Sequence, residues 1–226
     1  MPRNDGDRPP VLAHRRFVAD RAAYADLDLA QRFQKIHETN LWGADTSVSG
    51  LGSELDATAV LRAELPPLLA GLRVSSLLWI NSAALGVTYT GVDIVPALVQ
   101  RLRMAAAAGH IRGEYLLADI TCDPLPKRDA ILCRDAMVHL SFRNIARAIA
   151  NFQASGAQWL IATTFPDWQT NRDCDDGDWR PLNLACAPFG WGQPVALVNE
   201  RCTEAGGGWD DKSLGLWPLA GLPPMA

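Results

Sequence analysis

Three short apolar segments each run into an aspartate, and their spacing leaves few folds open. Tyr89-Thr90-Gly91-Val92 ends on Asp93, Glu114-Tyr115-Leu116-Leu117-Ala118 on Asp119, and Ala130-Ile131-Leu132-Cys133-Arg134 on Asp135. After the first of these, Pro96 stands at a natural first helical position. Val95, Leu98, Val99 and Leu102 recur at the spacing of one helix face. Gly109 and Gly113 bracket the turn into the next segment. Strands alternating with helices predict an α/β chain with a mostly parallel, Rossmann-like sheet and helices on both faces. Such sheets bind ligands beyond the carboxyl ends of their strands. Any one of these aspartates is as well explained as a cap or turn residue. Three in register at βαβ spacing point to a site.

The residue types suggest its chemistry. Asp93, followed by Ile94, can accept both hydroxyls of a ribose. Asp119 beside Ile120 suits an adenine amine and ring face. Asp135 and His139 lie four residues apart and share a face if a helical turn starts there. His139 can then take a proton from an acceptor hydroxyl near neutral pH; the alternative is a structural histidine. Arg134 is placed to pair with a carboxylate or contact a ligand.

The chain has 226 residues, 48% of them hydrophobic, which suits one domain over 1–226 with elaborations. Net charge is −4 and no long Lys/Arg cluster appears, so a nucleic-acid partner is not expected. The five cysteines are an odd number without CxxC spacing, which suggests neither a zinc site nor a disulfide framework. A reducing cytoplasm fits that usage. No apolar run approaches membrane-spanning length, so no membrane partner is expected.

Residues 1 to about 12 lack periodicity and read as a mobile tail. A helical lid is expected over about 14–72. It includes a helix carrying Leu29, Phe33 and Ile36, a Ser/Gly loop from Trp42 to Ser53, and a helix carrying Leu61, Leu65, Leu68 and Leu72. Asp56 or Thr58 can cap that last helix. Ser141 caps a helix bearing Phe142, Ile145, Ile149 and Phe152, and Gln158 to Phe165 reads as a strand. Residues 166–192 are irregular and dense in Asp, Trp, Pro and Gly. Trp168, Trp179 and Trp191 with Arg172 and Arg180 make this a substrate-side cap rather than a disordered stretch. Asp178 and Arg180 are secondary candidates for chemistry. Tryptophans that stack on sugar rings would fit a sugar-type acceptor. Pro194 to Asn199 and Ser213 to Leu219 read as closing antiparallel strands.

Gly91-Val92-Asp93-Ile94, Ala118-Asp119-Ile120 and Cys133-Arg134-Asp135-Ala136-Met137-Val138-His139-Leu140 together resemble the class I S-adenosylmethionine-dependent methyltransferases. Three more strings resemble a bacterial branch of that family: Trp42-Gly43 with Ser47 to Ser53, Gly177 to Leu184, and Asp211 to Trp217. The resemblance runs from about residue 30 to 220. It implies S-adenosylmethionine as cofactor, held by Trp42, Ser53, Asp93, Ile94, Asp119, Ile120 and Arg134. It implies methyl transfer to a small-molecule or sugar acceptor, with Asp135 and His139 on the catalytic face. A dinucleotide oxidoreductase would need a GxGxxG turn after the first strand, and none is present.

One departure is serious. The family places a glycine-rich cofactor loop and a helix after its first strand, yet only ten residues separate Leu78 from Tyr89, and Gly86 is their one glycine. A parallel crossover ordinarily takes a dozen residues or more. Ser75-Ser76-Leu77-Leu78 looks like the start of that first strand, and Trp79 to Leu85 like the segment that ordinarily comes after the loop. The expectation is a break between Leu78 and Trp79 where a loop belongs. A continuous chain there favours instead a catalytically inactive relative that binds without transferring.

Overall fold

The computed structural model describes residues 8–43, 57–80 and 88–225. Seven strands form one sheet in the order β3-β2-β1-β4-β5-β7-β6. They are β1 (Ser76–Ile80), β2 (Thr88–Asp93), β3 (Glu114–Leu117), β4 (Ala130–Cys133), β5 (Trp159–Thr164), β6 (Ala196–Asn199) and β7 (Ser213–Pro218). The first five run parallel, and β7 is antiparallel to both β5 and β6. The mostly parallel sheet and its antiparallel closing strand agree with the sequence reading.

Helices α1 (Leu12–Ala19) and α2 (Leu29–Glu38) precede α3 (Ala59–Gly71), and α4 (Pro96–Ala107) and α5 (Phe142–Ala154) follow. The central strands β4, β5 and β7 are buried on both faces, so their side chains divide by parity. Ile131, Cys133, Leu160 and Ala162 meet Ile145 and Phe152 of α5 and the cap residues Leu182, Leu184, Phe189 and Trp191. Ala130, Leu132 and Ile161 meet Leu61, Leu65 and Leu69 of α3 and Val99 of α4. The segment 166–192 is irregular, as expected. It is nevertheless part of the core rather than a loose cover.

Local signals explain most boundaries. Pro96 opens α4. The Ser141 hydroxyl accepts from Asn144 N–H at 3.3 Å and caps α5. Asp28 and Gln31 form a capping box at α2. Thr58 holds the N-cap position of α3, and Asp56 lies outside the described residues. Gly177 has φ +93, and a Cβ there would fall 2.5 Å from Ile36 Cδ1, so only glycine lets the cap lie this close on α2.

Two expectations are corrected. The reading of residues 1 to 12 as a mobile tail fails from Arg8 onward. Arg8 is buried in an ion pair with Asp211, and Trp209 Nε1 donates to Pro9 O at 3.1 Å. The break at Leu78–Trp79 is absent. β1 is continuous: Leu78 pairs with Thr90 and Ile131, Trp79 with Gly91 and Leu132. Chain length permits this. The eight peptide steps from Ile80 to Thr88 reach about 26–29 Å when extended. Returning along a five-residue strand and across one strand spacing takes roughly 14 Å. The dozen-residue rule describes crossovers that carry a helix. Among the described residues no helix is long and apolar enough to cross a membrane.

Candidate active site

The carboxyl ends of β2, β3 and β4 open into a cleft that α2 crosses. Its lining includes Asp93, Ile94, Asp119, Ile120, Asp135 and His139 from the strand ends, with Leu29, Phe33, His37 and Trp42 from the α2 side. Of the nine residues singled out from sequence, seven thus meet in one place. Ser53 lies outside the described residues. Arg134 is the exception: it does not line the cleft. Its guanidinium is buried and donates to Glu200 at 2.6 Å. Past the end of β4, Arg134 packs against Glu200, just beyond β6, and also lies 3.5 Å from Asp135.

Asp93 and Asp119 serve their own turns as well. Asp93 accepts from Val95 N–H and Asp119 from Thr121 N–H, each at 2.8 Å. A carboxylate offers about four acceptor sites, so each keeps capacity toward the cleft. Burial pushes the Asp93 carboxyl up to about 6, against the backbone N–H groups of Val95 and Ile94 that favour its charge.

Asp135 adopts the left-handed conformation, φ +53, which Asp tolerates better than most residues. Its N–H donates to Thr163 Oγ1 at 2.8 Å. This sharp exit from β4 starts a 3-10 turn at Met137–His139 that turns His139 back over the cleft. Trp42 stacks on the His139 ring, centroids 4.2 Å apart and planes at 24°. His139 Nδ1 lies 2.7 Å from Asp178 O. A carbonyl can only accept, so Nδ1 carries the proton and Nε2 keeps its lone pair. Burial lowers the ring's pKa to about 4, more than the Asp178 carbonyl and Asp135 raise it. His139 is neutral at pH 7 with a defined tautomer.

Asp135 sits between two cations. Burial alone would raise its carboxyl, but Lys212 at 2.7 Å and Arg134 at 3.5 Å hold it below the usual range. Lys212 and Glu200 were not found from sequence. Lys212 lies in the Asp211 to Trp217 string that carries the resemblance, and a lysine at the head of an apolar strand was the available signal. His37 was also missed; neither ring nitrogen has a hydrogen-bond partner, and burial lowers its pKa. Arg180 and Asp178 are structural. The Arg180 guanidinium donates to Met137 O at 2.7 Å and to Leu140 O, and it sits over Phe142. Asp178 pairs with His14 at 2.8 Å.

A second cavity, of about 360 Å³, lies on the other side of the same wall. Phe165, Trp179, Trp209, Glu204 and Lys212 line it, with Pro9 to Ala13 closing one side. Trp42, Asp135 and His139 line both spaces. The two cavities therefore meet at these three side chains.

No protein-family model and no curated protein matches the chain. Solved structures do. Magnesium protoporphyrin IX methyltransferase (ChlM) from Synechocystis PCC 6803, with bound SAM, is similar at 15% identity and a TM-score of 0.46, over 66% of this chain and 82% of that one. The PH0226 protein from Pyrococcus horikoshii OT3 is similar at 13% identity and a TM-score of 0.41, over 50% of this chain and 56% of that one. A putative sarcosine dimethylglycine methyltransferase from Galdieria sulphuraria is similar at 14% and 0.41, over 48% of each chain. The match thus spans about half the length of the last two. These likenesses concern the fold alone. The strand order, five parallel strands with an antiparallel β7 between β5 and β6, makes a mostly parallel α/β sheet.

Proposed function

We propose that the chain transfers a methyl group from S-adenosylmethionine to a small-molecule or sugar acceptor. The observation that carries this is the meeting of two cavities at Trp42, Asp135 and His139. The residues of the first cavity fit the adenosine end of the cofactor. Asp93 and Asp119 keep free acceptor sites, Ile94, Ile120 and Leu98 give apolar walls, and the His37 nitrogens lack partners. Residues 81–87, which join β1 to β2, lie outside the described residues.

When bound, the cofactor supplies an electrophilic methyl on a sulfonium. The chain's part is placement and proton handling. Asp93 and Asp119 fix the nucleoside, and the second cavity seats the acceptor on the far side of Trp42 and His139. His139 Nε2, the nitrogen left unprotonated by the Asp178 contact, would take the acceptor's proton as the acceptor's lone pair bonds the methyl carbon and the carbon–sulfur bond breaks to release S-adenosylhomocysteine. Asp135, held anionic by Lys212, stabilises the imidazolium that results. Calorimetric titration with S-adenosylmethionine, S-adenosylhomocysteine and NAD tests the assignment. The first two should bind and NAD should not; binding of NAD alone would refute it.

A second reading is favoured by one observation. β1 is continuous and its connection to β2 holds no paired glycines. A chain that keeps the adenosine cleft but cannot seat the methionine end would bind nucleosides without transferring methyl. It would take adenosine as tightly as S-adenosylhomocysteine.

A further inference from the structure

The charges behind the second cavity do not balance. Arg134 donates to Glu200 at 2.6 Å and lies 3.5 Å from Asp135. Lys212 lies 2.7 Å from Asp135 and 3.8 Å from Glu200. Among the described residues these two cations share these two carboxylates. Glu204 is a third carboxylate beside them, and it lines the cavity. No cation stands within ion-pair distance of it among the described residues. Burial raises its pKa, with Lys212 pulling the other way. Among the described residues these groups thus hold one more carboxylate than cation, and the extra one, Glu204, lines the space where an acceptor would sit. Arg15, also on the lining, is exposed at the mouth and screened by water.

The walls suit a cation as well. Phe165, Trp179 and Trp209 pack edge to face beside Glu204. Trp209 already carries a guanidinium, with Arg8 Cζ 5.1 Å from a ring centroid. A carboxylate set among indoles holds an ammonium by charge and by ring quadrupole together. An anionic acceptor would meet a surplus of like charge, and a neutral alcohol would leave Glu204 uncompensated.

We propose that the acceptor carries a protonated amine, anchored by Glu204 and the Trp179–Trp209 wall; this rests on reading the second cavity as the acceptor side. The test uses two matched pairs of probes, 2-phenylethylamine with 2-phenylethanol and glucosamine with glucose. Each is titrated into the wild-type protein and into Glu204→Gln, both saturated with S-adenosylhomocysteine. At least one amine should bind the wild type about tenfold or more tighter than its hydroxyl partner, and Glu204→Gln should erase that preference. Absence of any amine preference, or a preference that survives Glu204→Gln, overturns the proposal. The saturating titrations separate it from the reading beneath it. Failure of S-adenosylhomocysteine to bind the wild type refutes the cofactor assignment. Intact binding with no amine preference refutes only the amine. Glu204→Gln that binds S-adenosylhomocysteine as the wild type does shows that the site is still folded.

Discussion

Replacing Asp93 with asparagine should make the ligand-free protein more stable and the cofactor weaker. Burial raises the Asp93 carboxyl from its ordinary 3.8 to about 6. The ionised form therefore costs the folded state about 3 kcal/mol at most, since each pKa unit is worth about 1.4 kcal/mol. Asparagine keeps an oxygen to accept from Val95 N–H, so the turn into α4 survives. Linkage sets the sign. With a folded-state pKa above the unfolded one, the penalty is full above about pH 6, shrinks as pH falls, and is gone below about 3.8. Asp93→Asn should thus raise the midpoint of thermal unfolding at pH 8. At about 2–4 °C per kcal/mol for a chain of this size, the rise is at most roughly 6–12 °C. The gain should vanish near pH 4. Thermal melts of both proteins from pH 4 to 8, with calorimetric titration of S-adenosylmethionine, measure both effects. A lower midpoint at pH 8, or cofactor affinity equal to wild type, would refute the reasoning.

Three further outcomes are expected. His139→Gln should slow turnover while leaving cofactor affinity unchanged, as read from kcat against the dissociation constant. His139 is buried neutral with a pKa near 4, so the unfolded state takes up its proton first and wild-type stability falls as pH drops from about 6.5 to 4; denaturant midpoints of His139→Gln should fall by less over that range. Lys212→Met leaves Asp135 and Glu200 as buried carboxylates short of a cation, and should cost about 3–5 kcal/mol in urea unfolding. Arg180→Met strips the donors from Met137 O and Leu140 O; it should destabilise by about 1–3 kcal/mol and lower activity by freeing the His139 turn.

The features legible in the sequence were local. Asp93, Asp119 and Asp135 could be picked out because each ends an apolar run, and Pro96 and Ser141 because helix starts have residue-level rules. The hairpin of β6 and β7 was legible from its β formers. The charge set was not, since Arg134 meets Glu200 across 66 residues and Asp135 meets Lys212 across 77, and no local pattern announces such a pairing. In the sequence Arg134 reads as pairing with a carboxylate or contacting a ligand; it pairs with Glu200, a partner that no local pattern names. The docking of Arg8 on Asp211 spans 203 residues, and the segment around it lacks the apolar period that would have flagged it. The short path from β1 to β2 was misjudged because a rule for helix-bearing crossovers was applied where the strand to be retraced is only five residues long.

The central claim is that one cleft at the ends of β2, β3 and β4 holds S-adenosylmethionine and delivers its methyl group past Trp42 and His139. Hydrogen–deuterium exchange with and without S-adenosylhomocysteine tests it most directly. Protection is predicted at residues 92–96, 118–121 and 136–140 and in the second half of α2. No protection on addition of the ligand, or protection confined to other segments, would contradict the account.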